Sequence, residues 1–184
     1  MNILAFIGSA RSGGNTARVV EAICKGAEES GHEVNVYNLS EMNIHGCQAC
    51  DACQLGKVDF CSIHDRLTDL LPQIAEADCL ILGTPIYMLQ VSGLTKNFLD
   101  RLRPFLRPDL TAKDLPGKKF ITITCSGAPA NAFSNVTEYL NQFFGYYKME
   151  NAGNIIAGGL NKPDAILQQP EILENAKHIG KNLI

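Results

Sequence analysis

Short apolar runs alternate along the chain with longer stretches in which apolar residues recur every three or four positions, the pattern of strands separated by helices. Asn2 to Ile7 predicts a buried strand, and Ala17, Val20, Cys24 and Ala27 then share one face of a helix that Gly31 stops. A second strand is expected at about Glu33 to Tyr37, a helix near Leu67 to Glu76, and a third, wholly apolar strand from Cys79 to Gly83. After a loop from Thr84 to Ser92, Leu94, Phe98 and Leu102 mark a helix ended by Pro104, and Arg103 to Gly117 reads as a long surface connection. Lys119 to Cys125 is the fourth strand, followed by a helix carrying Val136, Leu140, Phe143 and Tyr147. Asn154 to Ala157 is the fifth strand, and Ile172, Ala176, Ile179 and Leu183 form a closing helix. Five strands with helices between them predict an α/β, doubly wound parallel sheet. Ligands of such sheets sit beyond the carboxyl ends of the strands, which singles out the loops 8–16, 84–92 and 125–132.

Composition narrows the picture. At 184 residues a single domain over 1–184 is expected, and 46% hydrophobic with 19% charged residues excludes disordered and collagen-like chains. A net charge of −3 leaves no electrostatic footprint for nucleic acid or an anionic membrane. The apolar opening Ile3–Ile7 is too short for a secretion signal, and Cys79–Leu82 is interrupted at once by Gly83, so a cytoplasmic protein is expected. Seven cysteines are present, four of them crowded between Cys47 and Cys61. In a reducing compartment that crowding points to metal or redox chemistry, whereas Cys24, Cys79 and Cys125 sit in apolar surroundings and read as buried thiols.

The first loop, Gly8-Ser9-Ala10-Arg11-Ser12-Gly13-Gly14-Asn15-Thr16, joins a strand directly to a helix. Its amides and the helix N-terminus make an anion site, its serines, Asn15 and Thr16 add neutral donors, and Arg11 adds a planar cationic fork suited to a phosphate monoester. It lacks the Gly-Lys-Ser/Thr of an ATP-binding loop and the spacing of a dinucleotide loop. The end of the second strand holds Tyr37 and Asn38 where a ribose-binding acid would stand, so a mononucleotide fits better than tightly bound NAD. The plainer alternative is a helix merely capped by Asn15 or Thr16.

The loop G-S-A-R-S-G-G-N-T, the segment Thr84-Pro85-Ile86-Tyr87 and the run Ser92-Gly93-Leu94-Thr95-Lys96-Asn97-Phe98-Leu99-Asp100-Arg101 together resemble the NADPH-dependent FMN reductase family of flavodoxin-like flavoproteins. The resemblance implies a flavodoxin-like five-stranded sheet of order 2-1-3-4-5. It implies that Ser9, Arg11, Ser12, Asn15 and Thr16 hold the FMN phosphate, that Pro85, Ile86, Tyr87 and Met88 line the isoalloxazine, and that Ser126 and Gly127 approach the ring from its other edge. Ala10 departs from the proline frequent in the family and leaves these donors in place. Tyr87 supplies an aromatic face for a flavin, or else fills a gap as an ordinary loop aromatic. Lys96, Asp100 and Arg101 stand at helical spacing and read as a structural or interface ion pair.

Cys47-x2-Cys50-x2-Cys53-x7-Cys61 can converge on a [4Fe–4S] cluster, whereas structural zinc favours two separated cysteine pairs. The spacing is similar to that of the iron-sulfur flavoproteins within the same family, although the last gap is long for that branch. Free thiols or a disulfide are the alternatives. His64 is a further potential ligand or support, but the Asp65-Arg66 beside it reads as a solvated helix start. By resemblance, then, the expected protein is an FMN-dependent, NAD(P)H-oxidising homodimer or homotetramer acting on small-molecule acceptors. No side chain is needed as general acid or base, and a ferredoxin becomes a partner if the cluster is present. The competing classes are a flavodoxin-type electron carrier, which would ordinarily be more acidic, and a zinc-stabilised binding module.

Overall fold

In the computed structural model, which describes all 184 residues, the apolar alternation within each strand builds two cores, one on either face of a sheet. The sheet strands are β1 (Asn2–Ile7), β2 (Glu33–Asn38), β3 (Cys79–Tyr87), β5 (Lys119–Cys125) and β6 (Glu150–Ala157), with the two-residue β4 (Gln90–Val91) attached to β3. The helices are α1 (Asn15–Glu29), α2 (Arg66–Glu76), α3 (Gly93–Asp100), α4 (Ser134–Tyr146) and α5 (Pro170–Lys181). The strand order is β2-β1-β3-β5-β6, every pairing on that path is parallel, and β4 runs antiparallel to the end of β3. This is the expected order, with β4 as an addition.

Successive residues of one strand face opposite ways. Ile3, Ala5, Ile7, Cys79, Ile81, Ile121 and Ile123 pack under α1 and α5. Leu4, Phe6, Leu80, Leu82 and Phe120 pack under α2, α3 and α4, where Phe6 meets Phe98 at 4.4 Å and Phe120 meets Phe144 at 4.9 Å between ring centroids. The hydroxyls that break the apolar run of β5 are satisfied: Thr122 donates to Asn154 at 2.6 Å, and Thr124 pairs with Thr137 at 3.0 Å. Helix α1 ends at Glu29, and Gly31 beyond it adopts φ +82°, the left-handed conformation that makes glycine the natural stop.

Four expectations need correction. Strand β3 continues past Gly83 to Tyr87, because β5 runs alongside it as far as Pro85, opposite Cys125, and β4 then pairs with Ile86 and Tyr87. Strand β6 begins at Glu150 rather than Asn154, its polar first half paired with β5 across a bulge at Phe120/Ile121. Helix α3 ends at Asp100, one turn before Pro104. The connection 103–117 is also more than surface, since Phe105, Leu106 and Leu115 are buried in the α2–α3–α4 core.

Candidate functional site

Three loops meet at the carboxyl end of the sheet, and the local structure of each explains what it can offer a ligand. Leaving β1, the chain enters α1 with Gly14 at the capping position and no side-chain cap. No backbone carbonyl takes the amides of Asn15, Thr16 or Ala17, so three N–H groups remain at the positive end of the helix dipole. By contrast α2 and α3 are closed by Asp65 and Ser92, whose side chains accept from the amides of Thr68 and Thr95. Ser92 also donates to the carbonyl of Gly8 at 2.6 Å, which fixes the base of the first loop. A Cβ on Gly8 would collide with Thr95 Oγ1, so the close approach there requires glycine.

The second loop is the tip of the β3–β4 hairpin. Met88 and Leu89 take φ +46° and +70°, the left-handed pair that a two-residue hairpin loop of type I′ requires, although neither is glycine. Their side chains are 94% and 68% exposed, and Tyr87 beside them is half-exposed. The third loop is zipped to a fourth that sequence reasoning missed. Ser126 N–H donates to Ala157 O at 2.9 Å, Gly159 N–H to Ala128 O at 2.8 Å and Leu160 N–H to Ser126 O at 2.9 Å.

One narrow cleft of about 80 Å³ gathers these pieces. Ser9, Arg11, Asn15 and Thr16 line it from the first loop, Pro85, Ile86 and Tyr87 from the second, and Ser126 and Gly127 from the third. Cys125 and Leu160 complete the wall, whereas Ser12 and Met88 are not among its lining residues. Asn15 has a second occupation: its Nδ2 donates to Lys162 O at 2.8 Å and its Oδ1 accepts from Ile166 N–H at 3.1 Å. With the Arg18–Asp164 ion pair at 2.9 Å, it pins the segment after β6 to the start of α1. The amide side chain is therefore committed to holding that segment, while the backbone N–H of Asn15 is left without a carbonyl acceptor.

The loop between β2 and α2 builds a separate cavity of about 360 Å³, lined by Cys47, Cys50, Cys53 and Cys61 together with Arg101 and Arg103. Its two ends are closed by one cross-link. Arg101 Nη1 donates to His45 O at 2.9 Å and to Asp65 Oδ2 at 2.7 Å, Nη2 donates to Asp65 Oδ1 at 3.0 Å, and Asp65 Oδ2 accepts from His45 N–H at 3.0 Å. The side chains of Arg101 and Asp65 are 0% and 4% exposed, so the expectation of a solvated helix start at Asp65 is overturned: it caps α2 and is buried by the ion pair. Arg101 does form a structural ion pair, as expected, but its partner is Asp65, whereas the i, i+4 contact on the helix joins Lys96 and Asp100. Burial works to raise the Asp65 pKa, but hydrogen bonds from Arg101, His45 and Thr68 outweigh it and bring the carboxyl down to about 2.

Within the cysteine loop, Ala49 and Asp51 hold left-handed conformations on either side of the exposed Cys50, whose sulfur lies 3.2 Å from Ser62 Oγ. That hydroxyl, with the amide of Ala52, lowers the Cys50 pKa. Gln54 Nε2 ties the loop to the carbonyls of Arg103 and Leu106 at 3.2 and 3.0 Å. The four thiols share one cavity, yet no three His, Cys, Asp or Glu side chains stand close enough together to hold a metal ion. Cys24, Cys79 and Cys125 are buried as expected, and burial pushes each thiol up to about 12. No helix is long and apolar enough to cross a membrane.

A parallel β2-β1-β3-β5-β6 sheet with an uncapped helix behind a glycine-rich loop at its switch point defines the flavodoxin-like class of mononucleotide-binding folds. Residues 1–159 match the NADPH-dependent FMN reductase family, and the chain belongs to it. Two proteins named iron-sulfur flavoprotein from Archaeoglobus fulgidus are similar in sequence. One is 37% identical over 103 residues, 56% of this chain and 49% of the relative, so the match spans about half that relative's length. The other is 30% identical over 184 residues, 100% of this chain and 79% of the relative. Among solved structures, an NAD(P)H:quinone oxidoreductase from Methanothermobacter marburgensis superposes with a TM-score of 0.75 at 19% identity, over 99% of this chain and 96% of its own, a likeness of fold.

Proposed function

We propose that this protein is an FMN-dependent oxidoreductase that takes electrons from NADH or NADPH and delivers them to a small acceptor such as a free flavin, a quinone or a metal complex. The observation that carries this reading is the convergence of untaken helix amides, Arg11, and the Pro85–Tyr87 and Ser126–Gly127 segments on one cleft. A cleft of about 80 Å³ is far smaller than the ~300–1,000 Å³ of sites that enclose a whole organic ligand. It fits a phosphate end, with the remainder of the nucleotide at the open rim beside Tyr87. There Ser9 and Thr16 offer hydroxyls, the amides of Asn15 and Thr16 offer N–H groups, and Arg11 offers charge-assisted bonds. Tyr87 and Ile86 give an apolar face, and the backbone of Ser126 and Gly127 gives polar contacts at the other edge. Bound FMN supplies hydride acceptance and electron release, which no protein side chain here can provide. The protein's part is to hold the phosphate, orient the ring and leave one face open to donor and acceptor in turn.

We further propose that Cys47, Cys50, Cys53 and Cys61 hold a [4Fe–4S] cluster. Their shared cavity and the names of the two Archaeoglobus relatives support this reading. Closing the four sulfurs on a cluster requires the loop to draw inward from the arrangement described above.

The test is a titration of the purified full chain with FMN and with riboflavin, followed by anaerobic assays with NADH, NADPH or reduced ferredoxin as donor. The expected result is FMN binding at least ~10-fold tighter than riboflavin, a preference removed in Arg11→Ala, and steady nicotinamide oxidation once an acceptor is added. Equal affinity for FMN and riboflavin would refute the phosphate assignment. Flavin reduction by ferredoxin with no oxidation of either nicotinamide would replace the enzyme by an electron carrier.

A further inference from the structure

Ser9 and Thr16 bring two buried hydroxyls to the cleft from the first loop, each residue being 3% exposed. A hydroxyl has a single proton to give, so whatever binds its oxygen decides what it presents to a ligand. Ser9 Oγ accepts from the Arg11 N–H at 3.2 Å, which leaves its own proton for the cleft. Ser126 does the reverse: its hydroxyl donates to Ala128 O at 3.1 Å, so only oxygen lone pairs remain there. Thr16 is set by its packing. Its methyl sits over Gly83, where an added Cβ would stand 3.1 Å from Thr16 Cγ2 and 2.4 Å from Val20 Cγ2. A β-branched side chain held by its methyl has little rotational freedom left. Its hydroxyl then stands beside the Cys125 thiol at the end of β5, close enough to influence that group's ionisation through a hydrogen bond. Cys125 lines the same cleft and is 4% exposed. Burial pushes its pKa up to about 12 although the Thr16 hydroxyl works the other way, so at neutral pH the sulfur keeps its proton.

We infer that Cys125 is a positioning residue of the phosphate cleft, whose S–H donates to Thr16 Oγ1 and so leaves the Thr16 O–H for a phosphate oxygen. This rests on the proposal that the cleft holds the phosphate of FMN. Ser9 and Thr16 are then a matched pair: each oxygen is occupied from behind, by the Arg11 N–H and the Cys125 S–H, and each proton faces the ligand. A thiolate at 125 would do the opposite, taking the Thr16 proton and setting a negative charge against the anion. The protonated thiol adds no charge, and the attraction is left to Arg11 and to the untaken amides of Asn15, Thr16 and Ala17. Ser126, its proton already given to Ala128, suits a ligand N–H and not an unprotonated phosphate oxygen. The set of the hydroxyls thereby decides which end of the cleft takes the anion.

The experiment measures FMN and riboflavin affinity by quenching of flavin fluorescence in the full chain. It compares wild type, Cys125→Ala, Cys125→Ser, Thr16→Val and the Thr16→Val/Cys125→Ala double variant. Cys125→Ala is expected to lower the preference for FMN over riboflavin by at least about threefold, the size of one modest neutral hydrogen bond, with riboflavin affinity unchanged. Cys125→Ser, whose hydroxyl also donates, is expected to restore the preference to within about twofold of wild type. In the Thr16→Val background Cys125→Ala is expected to cause no further loss, because the thiol acts only through the Thr16 hydroxyl. Circular dichroism checks each fold, and Cys125→Val, which fills the site without a donor, replaces the alanine variant if that one is unfolded. A preference within about 1.5-fold of wild type in the folded alanine or valine variant would overturn the inference. So would an equal loss with the Thr16 hydroxyl present or absent, or a serine variant no better than alanine. Equal affinity of the wild-type chain for FMN and riboflavin would overturn the phosphate assignment itself and the inference with it.

Discussion

Asp65→Asn tests whether the ion pair that closes the cysteine loop governs stability as well as shape. The substitution keeps the volume and one capping oxygen but removes the charge and turns an amide NH₂ toward the Arg101 donors. Wild-type Asp65 titrates near 2 in the folded chain against a reference value of 3.8, and its side chain is only 4% exposed, so solvent screening takes little from the effect. That difference corresponds to ~2.5 kcal/mol of folding stability at neutral pH from linkage alone. Deleting one partner of a buried pair costs ~3–5 kcal/mol in general, because the other charge is left unmatched, so a loss of ~2.5–5 kcal/mol is expected. For a chain of this length that amounts to a melting temperature lower by roughly 5–20 °C at pH 7. The sign in pH follows from a depressed carboxylate pKa. The stabilisation is fully present above about pH 4 and is lost as pH falls toward 2, so wild type and variant should converge in acid. Urea unfolding followed by circular dichroism at pH 7, 5, 4 and 3 measures this directly. A loss under ~0.5 kcal/mol at pH 7, or a difference that stays constant down to pH 3, would refute the reasoning.

Two further outcomes are expected. Asn15→Ala should free the Lys162 carbonyl and the Ile166 amide, and hydrogen exchange should show the Ile166 amide opening at least ~10-fold faster, with FMN binding weakened in parallel. Unchanged protection at Ile166 would mean the segment is held by Arg18 and Asp164 instead. A thiol reagent applied to the native, metal-free chain should count four of the seven cysteines quickly and the three buried ones only on unfolding. Five or more fast thiols would contradict the burial of Cys24, Cys79 and Cys125.

Strands and helices were legible wherever a period persisted, as in β1, α1 and β5, because burial on two sheet faces imposes it. The end of β3 was not, because Pro85 reads as a breaker. It is tolerated where pairing with β1 has already ended at Gly83 and only β5 still runs alongside. Polar Glu150 and Asn151 and the glycine at 153 hid the start of β6, which as an edge strand has one flank without a partner and needs fewer apolar residues. At the site, loop chemistry found the first three loops, since glycines, short polar side chains and strand ends are local signals. Leu160 was missed because it reaches the cleft only through its pairing with Ser126. The partner of Arg101 and the burial of Asp65 were missed for a similar reason: their ion pair joins positions 36 residues apart, whereas helical spacing grouped Arg101 with Lys96 and Asp100.

The backbone zipper between the loops after β5 and β6 constrains how this protein can change over generations. A Cβ on Gly158 would strike the backbone of Ala128 and Ala130, so the two loops fit only as a matched pair. Lengthening one by a single residue would strip Ser126, Ala128 and Leu160 of their shared hydrogen bonds, and a lineage could accept it only with a compensating change in the other. Variation is left to the exposed tip around Met88 and Leu89, where side chains can be exchanged without disturbing that fit.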